Sequence, residues 1–376
     1  MRNYFLVIIL IFQSVSAQSQ DISSLKSFHI NESLIKHQLD SLNELTPLDL
    51  NFNKEVLQEI KFYLLQRQNQ VAKLLALSNY YFPIFESYLD KYDLPQELKY
   101  LPIIESSLNP RAKSSAGAAG LWQFMYNTAK EYGLKVNSYL DERMDVYKST
   151  ESACRYLKKS YDIFKNWELS LASYNAGRYS VKKSIIRSGG KINYWEIRPF
   201  LPKETRNYIP SFIAAVYVMN FAGDYGINLD TNYLLNESSV DSIFIKESIK
   251  INHLSSILNI NEELLKNLNP AYKIKIIPFL EGEKFPVILP QEKIIQFLEN
   301  EENIYEIIDS LKLAENEKYP EYTDFKRIRH IVKSGDVLGT IAQKYNCRVS
   351  DIMLWNNLNN SKIRLGQRLI IYQIIK

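Results

Sequence analysis

A chain of 376 residues has room for two or three domains, and 46% apolar residues supply enough side chains for real cores. The formal net charge of +4 includes no dense basic block, so no nucleic-acid partner is indicated, and the mild positive balance is merely compatible with an anionic polymer. The four histidines, His29, His37, His253 and His330, are scattered and the cysteines number only two, so neither a metal nor another cofactor is expected.

Residues 1–17 have the pattern of a secretory signal: Arg2, an apolar run from Tyr4 to Phe12, and the small-residue cleavage site Val15-Ser16-Ala17. The run is too short to span a bilayer, and no later stretch is long and apolar enough. The mature protein is therefore expected outside the cytoplasm, in the periplasm or cell envelope, as a monomer without a transmembrane segment. Gln18 stands after the expected cut, where a lipid-anchored protein would carry a cysteine. Cys154 and Cys347 are expected to be free thiols. Residues 18–52 are polar and weakly patterned, which suggests a loose arm with one helical piece.

From Asn53 the pattern tightens. Val56, Ile60, Tyr63, Leu64, Val71, Leu74 and Leu75 mark a long amphipathic helix, and Tyr80 to Pro83 is expected to open another, ending near Tyr92. Asp93 is expected to cap the next, with Pro95 early in it. That helix places Leu98, Leu101, Glu105 and Leu108 on one face, is bent by Pro102 and stops at Asn109-Pro110. A carboxylate held among Ile103, Ile104 and Leu108 loses hydration, which raises its pKa and suits a general acid. The plainer reading of Glu105 is a side chain that reaches solvent or pairs with a lysine.

Small residues follow from Ser114 to Gly120, leaving backbone open to close approach. Trp122, Phe124 and Tyr126 offer flat apolar faces beside the Gln123 amide, a combination that suits a sugar. Taken alone, a turn followed by an aromatic core helix explains them as well. Further helices are expected to about Tyr132, over 150–164, over 167–174 with Asn175-Ala176-Gly177 as its stop, and over 180–187. A last one begins at Pro202 to Thr205, with Tyr208 in its first turns and an apolar body from Phe212 to Phe221. Many helices with almost no alternation predict an all-α domain over 53–225.

The three stretches Glu105-Ser106, Gly120-Leu121-Trp122-Gln123 and Ala172-Ser173-Tyr174-Asn175-Ala176-Gly177 together resemble the lytic transglycosylases with a goose-lysozyme-like catalytic domain. The resemblance implies a mainly α protein with a lysozyme-like catalytic domain and peptidoglycan glycan strands as substrate. It implies that Glu105 protonates the glycosidic oxygen leaving N-acetylmuramic acid, assisted by the sugar's own acetamido group. Glu105 then acts as base while the C6 hydroxyl closes a 1,6-anhydro ring. Ser106, Gln123, Tyr174, Asn175 and Tyr208 would orient Glu105 and the acetamido group. Tyr208 enters this set because its counterpart in relatives, in the pattern that Glu204-Thr205-Arg206-Asn207-Tyr208 resembles, lies near the acid.

Residues 239–311 combine short strands with helices around Leu254, Ile257, Leu264 and Leu268-Asn269, and end in the strand-like Phe285 to Pro290. Glu292 to Glu321 reads as helix passing into a linker over 312–328. Residues 329–373 read strand, turn, helix, helix, strand and resemble a lysin motif, a βααβ module that binds N-acetylglucosamine chains. That resemblance nominates Gly335, Asp336, Leu338 and Asn356 for glycan binding. Setting Leu254, Ile257 and Leu268-Asn269 beside Leu338, Ile341 and Trp355-Asn356 suggests that the middle region is a shortened, worn copy of the same module, although the shared positions are mostly generic apolar residues.

Glycosidases usually need two carboxylates. Asp141, Glu142 and Asp145 are nearest in sequence, but capping and ion pairing account for them. Besides the transglycosylase, two readings stay open: a hydrolytic muramidase with a base such as Asp141, and a wall-binding protein without activity.

Overall fold

The computed structural model describes residues 30–234, 240–315, 319, 322, 324–356 and 358–375; the expected signal lies outside them. Asparagine caps begin the first two helices. Asn31 accepts from Leu34 N–H to start α1 (Glu32–Asn43), and Asn53 accepts from Val56 N–H to start α2 (Lys54–Gln66). The segment expected as a loose arm thus contains a helix whose Ile35 and Leu39 are fully buried in the main core.

The helical pattern after Asn53 divides differently from the expectation. A single non-helical residue, Arg67, ends α2, and α3 (Gln68–Lys91) then runs straight through Pro83. Val71, Leu74, Ser78, Tyr81, Phe85 and Leu89 form one unbroken buried stripe along it. Burial of that stripe outweighs the one backbone hydrogen bond that proline removes. Asp93 closes this helix instead of capping the next: its φ is +59°, a conformation aspartate tolerates. A 3-10 turn over Gln96–Tyr100 leads into the short α4 (Leu101–Ser106). Pro102 therefore sits in a first turn, where its missing N–H costs nothing, and bends no helix.

The rest of the first domain comprises α5 (Tyr126–Glu131), α6 (Val146–Phe164), α7 (Trp167–Ala176), α8 (Arg178–Arg187), α9 (Tyr194–Ile197) and α10 (Tyr208–Phe221). α10 is apolar on every side and occupies the centre, in contact with α2, α3, α4 and α7. Asp145 caps α6 by accepting from Lys148 N–H, Glu142 pairs with Lys148, and Asp141 pairs with Arg143. Structural work thus accounts for the whole acidic cluster.

The middle region contains β1 (Val240–Phe244), β2 (Ile249–Lys250), α11 (Ile251–Leu258), α12 (Glu262–Leu268), β3 (Ile276–Ile277) and β4 (Pro286–Pro290), then α13 (Gln291–Glu299) and α14 (Glu301–Glu315). The C-terminal module contains β5 (Asp324–Ile331), α15 (Leu338–Lys344), α16 (Val349–Trp355) and β6 (Arg368–Ile375). Strand β1 pairs antiparallel with β4, and β5 with β6. The suggested repeat has a physical signature. Asn269 donates to the Leu265 and Ile288 carbonyls and accepts from Ile288 N–H. Asn356 does the same with Ile352 and Ile370. One asparagine per copy thus clamps the second helix to the last strand. Both cysteines are free, and among the described residues no helix is long and apolar enough to cross a membrane.

Candidate active site

Glu105 occupies the last turn of α4, on the stripe formed by the fully buried Leu98, Leu101 and Leu108. The helix stops before Asn109-Pro110 because Ser107 and Leu108 both turn left-handed, with φ of +52° and +56°. Neither is glycine, and such residues cost roughly 1 kcal/mol or more apiece. Gln123, at φ +47°, is a third. The Gln70 amide donates to the Ser107 hydroxyl at 2.9 Å, holding the first of these turns.

Burial pushes the half-buried Glu105 carboxyl up to about 7, against the opposing hydrogen bond from the Tyr208 hydroxyl to Oε1. Among the described residues no carboxylate contributes to that shift. Burial, and then the neighbouring Glu105 charge, hold the Tyr208 and Tyr174 phenols well above their ordinary range, so both stay neutral donors. Oε2 of Glu105 has no hydrogen-bond partner among the described residues and is available to a ligand.

The other expected site residues surround this carboxyl through backbone contacts. The Ser106 hydroxyl lies 2.9 Å from the Leu121 carbonyl and 3.0 Å from that of Pro102, fastening α4 to the following loop. Tyr174 donates to the Trp122 carbonyl at 2.8 Å, fastening the end of α7 to the same loop. The Gln123 amide N–H group donates to the Gly120 carbonyl at 2.7 Å, and its oxygen has no partner among the described residues. Asn175 is exposed, and its oxygen accepts from the Thr205 hydroxyl at 2.9 Å, while its N–H group has no partner among the described residues.

Trp122 is a correction. It is no sugar platform: it is fully buried, in edge contact with Phe85, and donates to the Thr150 hydroxyl at 2.9 Å. Phe124 and Tyr126 are buried too. The Gly120 backbone is indeed closely approached, but by this chain itself. A Cβ there would lie 1.7 Å from the Arg143 carbonyl oxygen. Asp141, the alternative base, faces Arg143 with both oxygens, at 2.8 and 2.7 Å.

Two positions of the C-terminal module are corrected as well. Leu338 is a core side chain, and the Asn356 amide is spent on the clamp to Ile370, so both shape the module from within. Gly335, at φ +88°, makes the turn before α15. Asp336 accepts from Lys333 N–H and pairs with His330, which together hold its carboxyl below the usual range. Sequence reasoning missed Gln70 and Thr205. Only the Glu204-Thr205 prefix to Tyr208 gave a signal for Thr205, and nothing marked Gln70.

Residues 82–196 match the Transglycosylase SLT domain, residues 239–306 the lytic transglycosylase MltD LysM-like domain, and residues 330–371 the LysM domain. The class is thus a transglycosylase SLT domain followed by two LysM-type modules. The particular likeness is to membrane-bound lytic murein transglycosylase D of Escherichia coli (strain K12), with 30% identity over 287 residues, 75% of this chain and 61% of that protein. The chain therefore aligns with less than two thirds of that relative's length. Soluble lytic murein transglycosylase of the same organism is 33% identical over 156 residues, 38% of this chain and 24% of that one. The crystal structure of the 70 kDa soluble lytic transglycosylase from Escherichia coli superposes on 49% of this chain and 33% of that one, at 24% identity and a TM-score of 0.34.

Proposed function

We propose that the protein is a peptidoglycan lytic transglycosylase that cleaves the N-acetylmuramic acid to N-acetylglucosamine bond with a single catalytic acid, Glu105. One observation carries the proposal: a carboxyl raised to about 7 by burial, touched by a tyrosine on one oxygen and, among the described residues, by no second carboxylate. With Tyr208 donating to Oε1, the proton resides on Oε2 and is delivered from there to the glycosidic oxygen. The acetamido group of the same sugar stabilises the cationic carbon, which is the substrate-assisted exception to the two-carboxylate rule. Glu105, now a carboxylate, removes the C6 hydroxyl proton as that oxygen closes the anhydro ring. The Gln123 oxygen and Asn175 N–H group supply one acceptor and one donor for the acetamido group or neighbouring hydroxyls.

The cell envelope is the place of action, in keeping with the substrate and with the signal-like residues 1–17. The test is Glu105→Gln, which keeps shape and hydrogen bonding but cannot donate this proton. Sacculus digestion should fall by several orders of magnitude while circular dichroism is unchanged. Near-normal digestion by the folded variant would overturn the assignment.

A further inference from the structure

The loop over 111–119, between Glu105 and Gln123, joins the candidate active site to the meeting point of three domains. The Ala112 carbonyl accepts from Gly120 N–H and, at 3.4 Å, from the Gln123 amide, so Lys113 stands one residue from the site. On its outer side the loop walls a trench of about 830 Å³, closed opposite by Asn346, Arg348 and Asp351 of the C-terminal module. Sharing Lys113 and Lys273, the trench continues into a hollow of about 250 Å³ against the middle region. Its shape is fixed by backbone bonds, Asp141 N–H to the Ala271 carbonyl and Lys273 N–H to the Tyr139 carbonyl, and by the Asn127 amide on the Trp355 carbonyl.

Seven basic and two acidic side chains line these two hollows, a local excess greater than the net charge of +4 on the whole chain. Arg143 is neutralised by Asp141 at 2.7 Å, and Arg111 and Lys266 both pair with Glu263 at 2.9 Å. The side chains of Lys113, Lys275 and Arg348 pair with no carboxylate among the described residues, while Asp351 accepts from the Arg348 backbone N–H at 3.0 Å. Lys273 donates to the Asn137 carbonyl at 2.6 Å. Burial, and then the Lys113 and Arg143 charges, hold its amine below the usual range despite Asp141. Uncompensated cations gathered in a concave junction repel one another and focus a positive potential there. A ligand with several negative charges relieves that repulsion.

We propose that this trench receives the carboxylates of the peptides borne by the glycan strand under cleavage, so that the protein prefers peptide-bearing to bare glycan. The inference rests on the transglycosylase reading. A strand lying over Glu105 and Gln123 passes beside the loop that carries Lys113, because the Ala112 carbonyl of that loop accepts from the Gln123 amide. The free carboxylates of its peptides supply several separated negative charges, which suits a row of amines and a guanidinium better than a single anion does.

The experiment uses the full chain with Glu105→Gln to prevent turnover. Binding is measured to peptide-bearing strands and to strands stripped of peptide by an amidase. Lys113→Ala combined with Arg348→Ala is compared with the parent and with a control pair at exposed lysines elsewhere, Lys182→Ala with Lys183→Ala. The parent and the control should bind peptide-bearing strands at least about fivefold more tightly than stripped ones, a preference that shrinks as salt rises. The Lys113 and Arg348 variant should lose that preference and bind stripped strands unchanged. Equal weakening on both strands, or no change on either, overturns the proposal. Cleavage by the chain with Glu105 intact is followed separately. Failure to release product from either strand refutes the transglycosylase reading and leaves the binding comparison standing.

Discussion

At the scale of the residue, the account turns on a proton that burial places on Glu105 near pH 7. A raised carboxyl pKa means that the folded state holds its proton more tightly than the unfolded chain does. The stability this provides is fully present below the ordinary value of 4.5 and is lost as pH rises through about 7, a difference of about 3 kcal/mol. Glu105→Gln should therefore raise Tm above pH 7 and leave it unchanged near pH 4, read by calorimetry at both. Glu168, buried on α7 beside Trp195 Nε1, is raised to about 7 by burial and then by the Asp49 charge. Glu168→Gln should show the same Tm pattern while leaving sacculus digestion intact, which separates a buried acid from a catalytic one. For activity the sign follows from the acid role: kcat/KM should fall as pH rises through about 7. Tyr208→Phe removes the hydrogen bond that lowers the Glu105 pKa. Its activity should drop about tenfold or more from lost orientation, with the alkaline limb displaced to higher pH. A limb displaced to lower pH would contradict the geometry.

At the scale of the element, the legible features were those written as periodic burial. A carboxylate on a leucine stripe singled out Glu105, and the stop expected at Asn175-Ala176-Gly177 falls at the end of α7. Features set by contacts distant in sequence were not legible. Pro83 looked like a helix start because the lost hydrogen bond is local, whereas the stripe that outweighs it packs against other helices. Trp122 looked like a sugar platform because its neighbours are site residues, yet the ring turns inward to Thr150. The left-handed turns at Ser107, Leu108 and Gln123 carry no glycine to mark them. Gly120 was marked, and its requirement is severe: Gly120→Ala must displace the Arg143 carbonyl and should destabilise the first domain by several kcal/mol, seen as insoluble protein or a large fall in Tm. The paired clamps make a second prediction. Asn356→Ala leaves Ile370 N–H without its partner and should cost the C-terminal module about 2–3 kcal/mol, seen as faster amide exchange along β6 with β4 unchanged. Asn269→Ala should show the reverse.

At the scale of the molecule, the C-terminal module is a docked part and not only a tethered one. Tyr126 and Val136 of the first domain belong to its core, Tyr126 meets Tyr372 edge-on at 4.5 Å, and Asn127 bonds Trp355. The sequence could not announce this, because both apolar residues fit equally well in the core of their own domain. Helix α14, in the stretch expected to pass into a linker, is fastened to the middle region by Glu315 with Lys250 and His253, at 2.7 and 2.9 Å. Tyr126→Ala should loosen the docking and increase the radius of gyration in small-angle scattering, with the helical content retained. The order of domains, an SLT domain and then two LysM-type modules, suits the proposed action on an insoluble polymer. The reaction itself is decided by what happens to the sugar end. An acid working alone passes the bond to the C6 oxygen, which is already attached to the reacting sugar and has a large proximity advantage over free water. The measurement that tests this most directly is mass analysis of the muropeptides released from purified sacculi, before and after borohydride. The account predicts muramic ends lighter by one water than hydrolytic ends and unchanged by the reductant. Reducible muramic ends as the main product would contradict it and make the protein a hydrolase.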